Sequence, residues 1–169
     1  MTSKVEIPVS QLGIGLGLCA KNIRRFVEDA DILLENSSIL HATALAIFAS
    51  EELAKYSELK QAKKLATGTT ASVDARLFWN HSYKQKLAGE LIPKDALVLS
   101  PALFGAEFLD SRLFQTEDIE ASHTLRLDCV FVNWKETGWV YGSTVQTGRL
   151  KQFTQNILDV LGKLESGSP

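Results

Sequence analysis

Residues 44–55 read Ala-Leu-Ala-Ile-Phe-Ala-Ser-Glu-Glu-Leu-Ala-Lys, and this stretch decides the fold. Its apolar residues recur every three or four positions, which is the period of an amphipathic α-helix. Glu52 shares one helical stripe with Leu45 and Leu59, so its carboxylate is aimed at the interior of a helical bundle. A charge is costly to bury without a partner, and Lys55 lies three residues on. The pair is either a structural ion pair or part of a polar pocket that other helices complete.

The helical period continues on both sides of this stretch. A first long helix is predicted from Ser10 to about Glu35, and the break at residues 36–38 joins it to the second helix as an antiparallel hairpin. A third helix is predicted from Asp74 to Gly89 and cannot pass Pro93. A last helix is predicted to begin at Thr144. The spacing therefore indicates an all-α bundle of about five helices.

Two regions depart from the helical pattern. Residues 94–122 are fragmented by Pro101 and Gly105, and they fit a loop with one or two short helices. Near 130–141 the residues fit either a helix followed by a loop or a small β-hairpin insert. We expect residues 1–165 to form a single helical domain and residues 166–169 to form a flexible C-terminal tail.

Composition narrows the class of protein. The chain has 169 residues, 45% of them hydrophobic and 22% charged, which excludes a disordered chain and predicts one domain. The formal net charge is −2, so binding to RNA would need a local basic patch. Cys19 and Cys129 are the two cysteines; they are too few for a disulfide framework and suit a reducing compartment.

The N-terminal region raises the question of a lipoprotein signal, because residues 16–19 read Leu-Gly-Leu-Cys. Pro8 interrupts the preceding apolar run, and Leu18 stands where a small residue is expected before a lipidated cysteine. The longest apolar window, residues 39–49, is shorter than the 18 or more residues that a membrane span needs. We therefore expect a cytoplasmic protein that does not contact a membrane.

Cofactor and metal motifs are incomplete. Gly13, Gly15 and Gly17 approach a nucleotide-binding loop, but the pattern would need glycine at position 18 and a preceding strand. His41, His81 and His123 are far apart, and the sequence has no paired Cys-x-x-Cys or His-Glu-x-x-His motif. We expect neither a cofactor nor a metal.

The third predicted helix carries a cluster of basic side chains. His81 and Lys84 are three residues apart and share a helical face, whereas Arg76 and His81 point about 140° apart on a regular helix. Arg76 and His81 can form one site only if the helix begins between them or bends. Such basic residues also often cover an apolar core without further function.

Another basic residue stands at the start of an apolar stretch in the C-terminal half of the chain. Arg126 precedes Leu127 to Val132 and either caps that stretch or reaches into a polar pocket. Polar residues in an apolar pattern must have their hydrogen bonds satisfied, most simply by one another. We therefore predict that Glu52, Lys55, His81, Lys84 and Arg126 converge on one polar site.

Four segments together resemble the AbiV-type abortive-infection proteins, a prokaryotic phage-defence family in the HEPN superfamily of small helical bundles. These segments are Ala30 to Leu34, Glu51 to Lys55, His81-x-x-Lys84 and Arg126 to Val132. The resemblance covers roughly the whole chain. It implies an all-α, HEPN-like and usually dimeric protein, so a homodimer is expected.

The resemblance also implies a relation to metal-independent RNases, whose active members carry Arg-x(4–6)-His on one helix. Arg126 would align with the motif arginine, but Phe131 stands five positions later in place of histidine. Arg76 and His81 satisfy the spacing on the third helix, which makes them a rival site. Two functions remain: an RNase-like effector acting on RNA or translation, or a non-catalytic module that arrests growth by binding a phage or host protein.

Overall fold

The computed structural model describes residues 3–92, 133–135, 138–140 and 147–167. The helices in these ranges are α1 (Val9–Glu35), α2 (Ile39–Leu65), α3 (Arg76–Trp79), α4 (His81–Leu91) and α5 (Thr147–Ser166). The strands are β1 (Lys4–Pro8), β2 (Thr70–Asp74), β3 (Asn133–Lys135) and β4 (Gly138–Val140). The predicted all-α bundle with a small insert is confirmed. Arg126, Cys129 and the segment 94–122 lie outside the described residues.

The first two helices form the predicted hairpin. Ser37 makes the turn with a positive φ of 60°, a left-handed conformation that side chains seldom adopt. Ser38 occupies the position before α2, but its hydroxyl hydrogen-bonds the ring Nδ1 of His41 at 3.0 Å and caps no backbone group. The second helix therefore begins without a side-chain cap.

The helix α2 is the centre of the bundle, because α1, α4 and α5 all pack against it. Residues on several sides of α2 are buried, and many of them are alanines: Ala42, Ala44, Ala46, Ala49 and Ala54. Small side chains let neighbouring helices approach closely on more than one face. Phe153 and Ile157 of α5 are fully buried in the same core as Ile23 of α1 and Leu53 of α2. Each such apolar side chain stabilises the fold by roughly 1.5–3 kcal/mol.

The N-terminal residues form a strand that the sequence analysis did not predict. The strand β1 pairs antiparallel with β2, with Ile7 opposite Ala71 and Val5 opposite Val73. Ala71 and Val73 are buried and alternate with exposed residues, which is the period of a strand with one covered face. The pairing ties the start of α1 to the segment that follows α2.

The predicted third helix is divided in two. Residues up to Asp74 belong to β2, α3 is a single turn, and α4 begins only at His81. The prediction of one helix from Asp74 to Gly89 is therefore wrong in its first part, because strand pairing takes Asp74 and the backbone at Asn80 is extended (φ −95°, ψ 105°).

The region near 130–141 contains a β-hairpin. The strands β3 and β4 pair antiparallel, with Trp134 opposite Trp139 and Lys135 opposite Gly138. Of the two readings that the sequence leaves open there, the β-hairpin is the correct one. No helix within the described ranges is both long and apolar enough to cross a bilayer.

Candidate functional site

The start of α4 presents three polar side chains on one face. Asn80 precedes the helix, and its side-chain Oδ1 accepts a hydrogen bond from the backbone N–H of Tyr83 at 2.9 Å. This is the geometry of an N-cap, which fixes where a helix begins. His81, Lys84 and Gln85 consequently stand at positions i, i+3 and i+4, which lie next to one another on a helix surface.

These three side chains meet a single carboxylate from α2, that of Glu51. One carboxylate oxygen, Oε2, lies 2.6 Å from Nδ1 of His81 and 3.3 Å from Nζ of Lys84. The other oxygen, Oε1, accepts a hydrogen bond from the side-chain amide of Gln85 at 2.9 Å. A carboxylate thirty residues away in sequence thus gathers the three groups of α4, and we call these four residues the Glu51 cluster.

Most of the Glu51 cluster is buried. Glu51 is 2% exposed, and Lys84 and Gln85 are buried with it, whereas 38% of the His81 side chain is exposed. A buried charge is tolerated when an opposite charge and hydrogen bonds compensate it, and Lys84 supplies that opposite charge. Within the described ranges, Oε1 of Gln85 is the one buried side-chain polar atom without a hydrogen-bond partner.

The carboxylate also selects the form of the His81 ring. An ionised carboxylate can only accept, so Nδ1 carries the hydrogen that faces Oε2. The nitrogen left to exchange protons with a substrate is then Nε2. A buried carboxylate that orients a partly exposed imidazole is an arrangement suited to general acid–base chemistry.

Glu52 and Lys55 form a separate pair on α2. Nζ of Lys55 lies 2.5 Å from Oε1 of Glu52, and both side chains are largely buried. On the α1 side the pair lies near Cys19, whose pKa rises to about 11 because of burial first and the Glu52 carboxylate second. Glu52 is therefore paired with a basic group, as predicted, and the partner is the local Lys55.

Arg76 contacts Asp74 and Tyr83. Its guanidinium binds the Asp74 carboxylate, with Nη2 2.7 Å from Oδ2 and Nε 3.0 Å from Oδ1. It also stacks over the ring of Tyr83, 4.2 Å from the ring centroid. The side-chain hydrogen bonds from Arg76 are the main reason that the pKa of Asp74 lies below its ordinary value. The helix is interrupted between Arg76 and His81, so the condition for a joint site of these two residues is met. The contacts of Arg76, however, join β2 to α4.

The predicted site residues thus fall into separate groups. His81 and Lys84 come together on Glu51, Glu52 and Lys55 bind each other, and Arg126 lies outside the described residues. Glu51 and Gln85 are not among the predicted site residues. Glu51 is adjacent to Glu52 and was available as a candidate, and Gln85 lies four residues after His81, so helical spacing alone would have placed it beside that histidine. Within the described part of the chain, no three His, Cys, Asp or Glu side chains are arranged to hold a metal ion.

Comparison with known proteins agrees with the resemblance seen in the sequence. The family model for AbiV, a HEPN-type family, matches residues 11–162, which include most of α1, all of α2, the Glu51 cluster and most of α5. No curated protein and no solved structure matches the chain. Because the match spans most of the sequence, the chain belongs to the AbiV family of abortive-infection proteins with a HEPN domain.

Proposed function

We propose that this protein is a metal-independent endoribonuclease of phage defence in which His81 is the general acid–base residue. The observation that carries the proposal is the contact between the buried Glu51 carboxylate and the partly exposed His81 ring, 2.6 Å apart. Carboxylate, imidazole and ammonium groups are the groups that RNA cleavage uses when no metal takes part. Family membership supplies the context of abortive infection.

The chemistry requires one proton to be removed and another to be supplied. Attack of the ribose 2′-oxygen on phosphorus forms the O2′–P bond and breaks the P–O5′ bond, leaving a cyclic phosphate and a 5′-hydroxyl. A base must take the 2′-hydroxyl proton and an acid must protonate the leaving oxygen. Nε2 of His81 is suited to the first role, because Glu51 holds the hydrogen-bearing Nδ1, and the imidazolium formed in this way then gives its Nε2 proton, through water, to the leaving 5′-oxygen.

Lys84 and Gln85 have supporting roles in this proposal. Lys84 lies 3.3 Å from Glu51 and balances its negative charge. The Glu51 carboxylate therefore does not need a positive charge on His81 to be compensated. Gln85 fixes the second oxygen of Glu51 and so fixes the orientation of the carboxylate. The family resemblance predicts that Arg126 also contributes to this site.

The test is RNA cleavage by the purified protein with and without a chelator, comparing His81→Ala with His41→Ala. General acid–base groups contribute roughly 10²–10⁴-fold to rates, so H81A should lower cleavage by at least about 100-fold while chelation changes nothing. His41 is the matched control because it is exposed at the start of α2 and bonds Ser38. Cleavage by H81A at the wild-type rate would contradict the proposal, as would wild-type activity that requires a metal.

A second candidate function is growth arrest by binding a partner protein, and homodimerisation is a separate expectation that an exposed apolar surface on α1 also supports. Ile14 and Leu18 lie one turn apart on α1, and both are exposed. Exposed apolar side chains on neighbouring turns are typical of interaction surfaces. Light scattering at micromolar concentration tests the dimer: a dimer mass that falls to the monomer mass in Ile14→Asp supports it, and a monomeric wild-type protein rejects it.

A further inference from the structure

Two aromatic side chains project into solvent immediately before the Glu51 cluster. Trp79 is 63% exposed and Phe78 is 44% exposed. They are consecutive, and within residues 3–92 and 147–167 every other aromatic side chain is buried or only partly exposed. Tryptophan is highly buried on average in folded proteins, so its exposure here needs an explanation. We call Phe78 and Trp79 the exposed aromatic pair.

The turn that carries the exposed aromatic pair is fixed in place by three neighbouring residues. Leu77 is fully buried, Arg76 is bound to Asp74 and stacked on Tyr83, and Asn80 caps α4. Successive helical residues are rotated by about 100°, so anchoring Leu77 in the core directs the next two side chains away from it. The aromatic rings are thus presented by a fixed backbone.

The exposed aromatic pair lies next to the proposed catalytic histidine. Trp79 and His81 are two residues apart, so their Cα atoms are at most about 7 Å apart. A nucleotide whose phosphate reaches His81 therefore has a base within reach of the indole ring. Aromatic side chains bind unpaired bases by stacking, and they do so with little dependence on base identity.

We propose that the exposed aromatic pair, with Trp79 as its main member, is a stacking platform for an unpaired RNA base next to the bond that is cleaved. This inference rests on the proposed function of His81 and adds a substrate class, RNA whose bases at the cleavage position are not already stacked in a duplex. In a duplex, stacking between neighbouring base pairs occupies the faces that Trp79 needs, so double-stranded RNA should bind more weakly.

The surroundings of the exposed aromatic pair favour a base over a protein partner. Arg76 precedes the pair, and Asn80, His81 and Ser82 follow it, all partly exposed polar residues. Protein interfaces usually bury a broad surface with an apolar centre. Two rings bordered by polar groups on both sides in sequence have the width of one or two bases, and the flanking donors suit a phosphate backbone.

Binding can be measured apart from cleavage in the His81→Ala background. The probe is a labelled, unstructured oligouridylate, and the competitor is a duplex RNA of equal length. Loss of one stacked base should weaken binding roughly tenfold, so Trp79→Ala should raise Kd by that factor while Trp79→Phe keeps most of the affinity. The salt dependence of Kd should stay unchanged, because no phosphate contact is removed.

The matched control is Leu65→Ala. Leu65 is 68% exposed, and it lies on α2 about 21 Å from Glu51 by helical rise. L65A should bind the oligouridylate as the background protein does. RNA binding should also quench the tryptophan fluorescence of the H81A protein, and W79F should lose most of this quenching.

Equal Kd values for W79A and L65A would overturn the stacking platform even if H81A abolishes cleavage. A background protein that does not bind the oligouridylate at all would overturn it too. An unchanged RNA affinity in W79A together with a shift from dimer to monomer in light scattering would assign the exposed aromatic pair to a protein interface. Conversely, a tenfold loss in W79A with full cleavage by H81A would reject the proposed catalysis and leave the platform in place.

Discussion

Glu51 and Glu52 are neighbours on α2 but lie in different environments. Glu51 is buried and binds His81, Lys84 and Gln85 of α4. Glu52 binds Lys55 of its own helix and lies near Cys19 of α1. Consecutive helical residues are rotated by about 100°, so one side chain faces α4 and the other faces α1. The difference shows that Glu51 depends on its tertiary neighbour α4, whereas the partner of Glu52 is supplied by the local sequence of α2.

The two carboxylates also differ in what depends on them. Glu51 joins two helices through residues that are at least thirty positions away in sequence. Glu52 satisfies a cation one turn away, an interaction that α2 could make with little help from the rest of the fold. We therefore expect substitutions at position 51 to have the larger effects.

The largest effect is expected for Glu51→Ala. Removing the carboxylate leaves Lys84 buried beside Gln85 without this partner. Loss of one member of a buried ion pair typically costs about 3–5 kcal/mol, so the free energy of unfolding should fall by about that amount. Chemical denaturation at neutral pH measures the change, and Glu52→Ala should lose much less.

A double variant provides the control for this prediction. Lys84→Met in the Glu51→Ala background removes the stranded cation and replaces it with an apolar chain of similar length. Part of the lost stability should return, since a buried ion pair can often be replaced by apolar groups at little net cost. Equal losses for E51A and E52A would remove the distinction between the two carboxylates.

A smaller effect is expected for Glu52→Gln. Ion pairs between residues of one helix contribute about 0.3–0.5 kcal/mol, and measured surface pairs reach about 1 kcal/mol, so E52Q should lose no more than about 1 kcal/mol of stability. The substitution should also lower the pKa of Cys19 from about 11, because Glu52 is its second cause after burial. The pH dependence of alkylation in a Cys129→Ser protein measures this.

Glu51→Gln is the control for the thiol measurement. Glu51 is not among the groups that raise the pKa of Cys19, so E51Q should leave the alkylation profile in place. In E52Q the pKa of Cys19 should still exceed the ordinary value of 9.0, since burial remains. An unchanged Cys19 pKa in E52Q would mean that burial alone accounts for the raised pKa of the thiol.

Much of the fold could be predicted from the sequence because helical periodicity is a local signal. The hairpin of α1 and α2 follows from apolar spacing and from the break at residues 36–38. The strands β1 and β2 escaped prediction because they are five residues each, and their pairing joins segments more than sixty positions apart. The alternation of buried Ala71 and Val73 was the available signal, but a period of two over five residues is weak.

The candidate site could be predicted only in part. His81 and Lys84 were found because their spacing puts them on one helical face. Their common partner, Glu51, was not predicted, because the apolar stripe through Leu45 and Leu59 points to Glu52. Since α2 is buried on several sides, it has no single inward stripe. The extended backbone at Asn80, whose side chain caps α4, also decides where α4 begins.

The smallest effect is expected for Glu58→Gln, which tests a third carboxylate of α2. Glu58 lies seven residues after Glu51, so it occupies nearly the same helical face. Burial, followed by the negative charges of Glu90 and Asp74, raises its pKa above the ordinary value of 4.5. Where Glu51 meets a cation and two hydrogen-bond donors, Glu58 is opposed by like charges.

The sign of the pH dependence follows from this raised pKa. The folded protein binds the Glu58 proton more tightly than the unfolded chain, so stability falls as the pH rises from 4.5 through the pKa of the folded state. Glutamine cannot ionise, and E58Q should therefore be more stable than wild type at pH 7, by a few tenths of a kcal/mol at this partly exposed position. Below pH 4 the two proteins should unfold at the same temperature. A melting temperature of E58Q below that of wild type at pH 7 would show that Glu58, like Glu51, has a compensating partner.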